Sequence, residues 1–166
     1  MIQNFNLDKQ VDEKYLNNRL RVLNYTNKDM NLALENNDQV YIALFDIPVK
    51  TSIIGFQTET LALVFGLNVH LYHGSGSAIT NLEQYPEVMK AMQSLLISSS
   101  QALPSMELTK DMNFYNSQCV RVYLKTEQGI YFKELCKNDK IDTFLQGMLD
   151  YVLDEITKTG VGERFK

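Results

Sequence analysis

Cys119-Val120-Arg121-Val122-Tyr123-Leu124-Lys125-Thr126-Glu127-Gln128-Gly129-Ile130-Tyr131-Phe132-Lys133-Glu134-Leu135-Cys136 is the stretch that decides the fold. Apolar and polar residues alternate on either side of Glu127-Gln128-Gly129, the pattern of a β-hairpin. Gly129 suits the left-handed position of a type I turn followed by a G1 bulge. In the bulged register Thr126 faces Ile130. Val120, Val122, Leu124, Ile130, Phe132 and Cys136 then share one face, with Glu134 as the exception. Arg121, Tyr123, Lys125, Tyr131 and Lys133 share the other. A one-residue slip would mix the two sets, so the pattern selects the bulge. The same register sets Cys119 and Cys136 on opposite faces. It predicts two free thiols, Cys136 the more buried and Cys119 the more reactive.

Outward from the hairpin, Ile141, Leu145, Met148, Leu149, Val152 and Ile156 form a helical stripe over 140–158, with Gly160 as its C-cap. A short strand is expected near 106–110. Pro86 at a first helical position opens a helix carrying Val88, Met92, Leu95 and Leu96. Val69 to His73, Thr60 to Phe65, Ser52 to Thr58 and Val40 to Ile47 read as strands, the last closed by Pro48. Leu7, Val11, Tyr15 and Val22, widened by Leu16, Leu20 and Leu23, make an amphipathic helix over about 7 to 24. Thr26 and Asp29 look like the start of a second helix, ended by Asn36-Asn37-Asp38.

Hairpins dominate this order, and the β-α-β alternation of a parallel sheet is missing. The expected fold class is α+β over 1–166 as a single domain. It has an antiparallel sheet with helices mainly on one face, the first two helices (1–37) wrapping an edge, and a short tail at 161–166. The order of the later elements is similar to that of longin, roadblock and profilin domains, a likeness of order that leaves function open.

The chain has 166 residues, 45% of them hydrophobic and 22% charged, with a net charge of −4. That balance excludes collagen-like, coiled-coil and wholly disordered chains. Lysine outnumbers arginine 12 to 4 and there are 14 asparagines, the usage of an AT-rich genome. From Thr60 to Met106 only Glu83, Glu87 and Lys90 are charged, so this third is core or the centre of an interface, core being the expectation. No basic segment followed by an apolar run opens the chain, and no apolar run approaches the ~20 residues of a membrane span. With only two cysteines, the expectation is a cytoplasmic protein with reduced thiols, no membrane association and no resident metal or cofactor.

The candidate chemistry is sparse. His70 and His73 are three apart on a strand and so point to opposite faces, which keeps them from converging on a metal. Ser98-Ser99-Ser100 has no base near it in sequence. Asp46 ends a buried run and is expected to cap a turn before Pro48. Gly74-Ser75-Gly76-Ser77 is a glycine-serine loop able to approach phosphate. The face of Arg121, Tyr123, Lys125, Tyr131 and Lys133 interleaves cations with aromatics. It suits an acidic protein partner or single-stranded nucleic acid, and the net negative charge favours the protein.

Leu71-Tyr72-His73-Gly74-Ser75 resembles the strand-end His-Gly-Ser/Thr motif of ADP-ribosyltransferases. The resemblance implies that His73 and the backbone of Gly74, Ser75, Gly76 and Ser77 would hold NAD, with Glu127 or Glu134 as the catalytic glutamate. The leading expectation is a non-enzymatic interaction module of inhibitor, immunity or adaptor type that binds a protein through the hairpin. The alternative is an NAD- or nucleotide-binding enzyme using the His73–Ser77 loop.

Overall fold

Val40 to Ile47 is apolar on nearly every residue, and in the computed structural model it lies at the middle of the sheet, covered on both faces. The structure describes residues 11–51, 55–65 and 68–161. Seven antiparallel strands form one sheet in the order β4-β3-β2-β1-β6-β7-β5. In chain order they are β1 (Ile42–Thr51), β2 (Gly55–Val64), β3 (Asn68–His73), β4 (Ala78–Ile79), β5 (Glu107–Thr109), β6 (Arg121–Thr126) and β7 (Gly129–Glu134). The helices are α1 (Glu13–Asn24), α2 (Pro86–Ser98) and α3 (Lys140–Lys158).

Alternation along β1 sends its side chains into two cores. Ala43 and Phe45 join a core with Leu61, Leu63, Val122 and Leu124, built on one side from α2 and α3. Ile42 and Leu44 join a second core with Ala62, Tyr123 and, from α1, Tyr15, Val22 and Leu23. The charge-poor third is mostly interior: residues from Leu61 to Met106 supply much of the first core.

Four local expectations need correction. Strand β1 does not stop at Pro48 but continues to Thr51. Its partner β6 reaches only Asp46, so Pro48 has a strand on one side alone and its missing N–H breaks no ladder. Residues from Gly55 to Val64 are one strand, without a break at Glu59. The second N-terminal helix is a single turn. Thr26 and Asp29 do exchange the two backbone bonds of a capping box, each 3.1 Å. Asn31 then takes a left-handed φ of 52° and the chain leaves the helix. Finally, α1 does not wrap an edge; it packs on the second core. It begins at Glu13, capped by Asp12. The expected helical residues before 11, the start of the 52–58 strand and the tail beyond 161 lie outside the described residues.

The hairpin register is the largest correction. Thr126 pairs with Gly129, not Ile130, and the ladder runs without a bulge through Lys125↔Ile130, Leu124↔Tyr131 and Tyr123↔Phe132 to Arg121↔Glu134. Extended by two residues, this register sets Cys119 opposite Cys136, and the two form a disulfide with Cα atoms 5.5 Å apart. The slip mixes the two sets that alternation seemed to separate. The sheet is buried on both faces, so the second face takes Arg121, Tyr123, Ile130 and Phe132 into its own core.

Leu145 has no exposed surface and lies where α3 meets the first core. Leu145→Ala is expected to destabilise the fold by about 2–5 kcal/mol in denaturant unfolding. Ile97→Ala, at a residue 70% exposed, should change stability by no more than about 0.5 kcal/mol.

Candidate functional site

Direct pairing across β7, β6, β1, β2 and β3 lines up Glu134, Arg121, Asp46, Thr60 and Tyr72 in one row on the second face. Asp46 and Thr60 are fully buried and Arg121 is 1% exposed. A carboxylate so placed must be met by charge and hydrogen bonds. From α1, Arg19 supplies both: its Nε lies 3.0 Å from each Asp46 oxygen and its Nη2 2.8 Å from Oδ2. Thr60 donates to Asp46 Oδ1 at 2.7 Å. With that proton committed, the Tyr15 hydroxyl donates to Thr60 and lies 3.3 Å from Thr58. Burial, reinforced by the Asp46 charge, pushes the Tyr15 pKa up to about 12. Burial opposes the charge on Arg19, and Asp46 outweighs it, so the Arg19 pKa is raised.

The stretch between β5 and β6 crosses above this row. Met112 accepts a hydrogen bond from Arg19 Nη1 through its carbonyl. Phe114 lies over both guanidinium groups, 5.8 Å from Arg19 and 5.5 Å from Arg121, and Tyr115 covers Arg121 at 4.9 Å. The Tyr115 hydroxyl donates to Glu134 Oε2 at 2.6 Å, and Ser117 Oγ lies 3.2 Å from the same oxygen. Arg121 Nη1 donates to the Cys119 carbonyl, while its Nε is buried without a hydrogen-bond partner, 4.0 Å from Asp46 Oδ2.

The five hairpin residues expected to form one exposed face therefore do not. Arg121 and Tyr123 are buried on the second face. Lys125, on that face, donates its Nζ to the carbonyls of Leu23 at 2.7 Å and Tyr25 at 2.5 Å. It caps the C-terminal end of α1, where a cation is favoured. Tyr131 and Lys133 point the other way. Tyr131 packs on the first core, and Lys133 pairs with Asp142 and with the α3 N-cap Asp139. Burial would lower the Lys133 pKa, but the Asp142 and Asp139 carboxylates raise it.

The His73–Ser77 loop is also absorbed by the fold. His70 pairs with Ala62 and His73 with Glu59, so the two imidazoles stand on opposite faces as their spacing predicts. His73 Nδ1 lies 3.2 Å from Glu59. The Gly74 N–H donates to the Thr58 carbonyl, the Gly76 N–H to the His73 carbonyl and the His73 N–H to the Ser77 carbonyl. The Gly74 carbonyl accepts from Asp12 N–H at 2.7 Å, which docks the start of α1 on the loop. Gly76 has φ +97°, and a Cβ there would meet the Asp12 side chain at 2.9 Å. The close approach that glycine permits is to a carboxylate of this chain. Ser75 and Ser77 bond each other, with their hydroxyls 3.1 Å apart. Ser99 and Ser100 hydroxyls donate to the Leu96 and Ile97 carbonyls. Glu127 sits in the hairpin turn.

Asp46, expected to cap a turn before Pro48, instead lies fully buried within β1 and is bonded to Arg19 and Thr60. The signal for Arg19 was present: four residues after Tyr15 and three before Val22, it stands inside the apolar stripe of α1.

At the surface, a cleft of about 530 Å³ separates the 35–40 stretch from the end of α2. Val40, Phe65 and Leu96 line it with Ile97, while Glu35 and Asp38 supply charge, and among the described residues no Lys or Arg lines it. No protein-family model, curated protein or solved structure matches the chain. Among the described residues no helix is long and apolar enough to cross a membrane. The disulfide removes the free-thiol premise from the expected cytoplasmic location.

Breaking the buried pair leaves uncompensated charge. Asp46→Ala should cost about 3–5 kcal/mol in chemical unfolding, and adding Arg19→Met and Arg121→Met should recover much of the loss. A second test is acid stability. The Asp142 N–H, then Lys133, holds the Asp139 pKa below the ordinary carboxylate range. Its contribution is present above about pH 4 and lost as pH falls through the lower folded pKa. Asp139→Asn should flatten that part of the unfolding-versus-pH curve.

Proposed function

We propose that this chain is a non-enzymatic interaction module that binds a protein partner through the cleft beside Ile97. The observation that carries the reading is Ile97 itself. A large apolar side chain, 70% exposed, stands at the rim of a concave surface with an apolar floor. Exposed apolar surface rimmed by polar groups marks recognition sites in soluble domains. Glu35 and Asp38 give the rim negative charge, without a cation among the described lining residues. The partner element is therefore an apolar side chain flanked by lysine or arginine, with the charges steering encounter and the apolar contact holding the complex.

The NAD or nucleotide alternative has less support. The glycine amides of the His73–Ser77 loop donate within the fold, and the Asp12 carboxylate faces Gly76.

A photo-crosslinking residue at position 97, expressed in the native host, should give a discrete protein adduct, and the same residue at Tyr151 on α3 should not. Glu35→Lys with Asp38→Lys should abolish the adduct while leaving the unfolding transition in place. Equal labelling from positions 97 and 151 would remove the cleft as the binding site. Heat on mixing with NAD, lost in His73→Ala, would favour the enzyme reading instead.

A further inference from the structure

We infer that the reduced chain holds one thiophilic divalent ion of the zinc class between Cys119, Cys136 and Glu134, so that this corner of the sheet alternates between a disulfide and a metal site. Cys119, Cys136 and Glu134 project from the same face, because Cys119 is opposite Cys136 and Glu134 is two residues before Cys136, where the Leu135 N–H to Val120 carbonyl bond continues the pairing past β7. Their ligand atoms all lie within 4.8 Å of one another.

The orientation of Glu134 is the telling feature. Its Oε2 is fixed by the hydroxyls of Tyr115 and Ser117. That leaves Oε1 turned toward Cys136 Sγ at 3.4 Å. A disulfide sulfur carries no proton to donate, so the oxidised state gives this oxygen no bond from the sulfur it faces. A tetrahedral zinc ion would. With metal–sulfur and metal–oxygen bonds of about 2.3 and 2.1 Å, a bound thiolate and carboxylate oxygen stand about 3.6 Å apart. The two thiolates would be about 3.8 Å apart, within reach of side chains whose Cα atoms are separated by 5.5 Å. Hydrogen bonds to the far oxygen of a ligating carboxylate are the usual outer support of such sites.

Charge points the same way. Two thiolates, one carboxylate and a divalent ion sum to −1. Arg121, opposite Glu134 on the same face, brings a guanidinium to this corner and donates its Nη1 to the Cys119 carbonyl at 3.2 Å. Cys136 is exposed, which gives the ion a way in and leaves a fourth position for water.

The exchange balances with a dithiol reductant. Two electrons and two protons pass from the dithiol to the Cys119–Cys136 disulfide, and the dithiol becomes a disulfide. The metal ion then displaces the two thiol protons to solvent as the two metal–sulfur bonds form.

The test uses the full chain, reduced by a dithiol without oxygen and then freed of reductant. Titration with Co²⁺ alone should raise near-ultraviolet thiolate-to-cobalt absorption saturating at one ion per chain, and Zn²⁺ should erase it. Glu134→Gln should weaken binding by about tenfold or more, and Tyr115→Phe by a smaller factor. Circular dichroism follows the fold throughout. Absence of the charge-transfer band would overturn the proposal, whether the reduced chain is folded or fails to refold with Co²⁺. So would Glu134→Gln binding cobalt as tightly as the native chain.

Discussion

Asp46 is a carboxylate at the centre of a sheet covered on both faces, and most of the molecule is arranged to meet it. Moving such a charge out of water costs several kcal/mol, so its surroundings are narrowly prescribed. Arg19 fixes which side of α1 faces the sheet, and Tyr15, one turn earlier, follows onto Thr60. Arg121 fixes the pairing of β6 with β1, since a one-residue slip would carry its guanidinium to the opposite face. Pairs that add little net stability can thus still select one arrangement among several.

The stretch that crosses over these arginines belongs to the same constraint. Residues 112–115 form no helix or strand, yet Phe114 and Tyr115 bring aromatic faces to two guanidinium groups that solvent does not reach. Glu134 then ties the stretch to β7 through Tyr115 and Ser117. The disulfide closes it at Cys119, two residues before Arg121. Polar chemistry on this face is therefore spent on cohesion, and the accessible chemistry lies at its margin and in the cleft across the molecule.

The periodic signals of the sequence were local, and where local periodicity governs they were sufficient. The stripe from Ile141 to Ile156, Pro86 at the start of α2 and Gly160 after α3 all stand where expected. The hairpin failed for a physical reason. Alternation identifies a buried face only if the other face is wet, and here both are covered, so Arg121 and Tyr123 looked like surface residues. The cue that outweighed alternation was the placement of Cys119 and Cys136 at equal distances from the turn. Asp46 was visible as an oddity in an apolar run, but its arginine partners are 27 and 75 positions away, and spacing within a window cannot supply them.

The outer strands of the sheet are its shortest. β4 has two residues and β5 three, beside interior strands of six to ten. An unpaired strand edge is a template on which another chain can add by backbone hydrogen bonding. Two or three residues offer too few such bonds to hold a visiting strand. On β5 the one exposed large apolar side chain, Leu108, follows Glu107 and precedes Lys110 closely enough that charge brackets it. The broad sheet thereby presents little free edge on which a second chain could extend it.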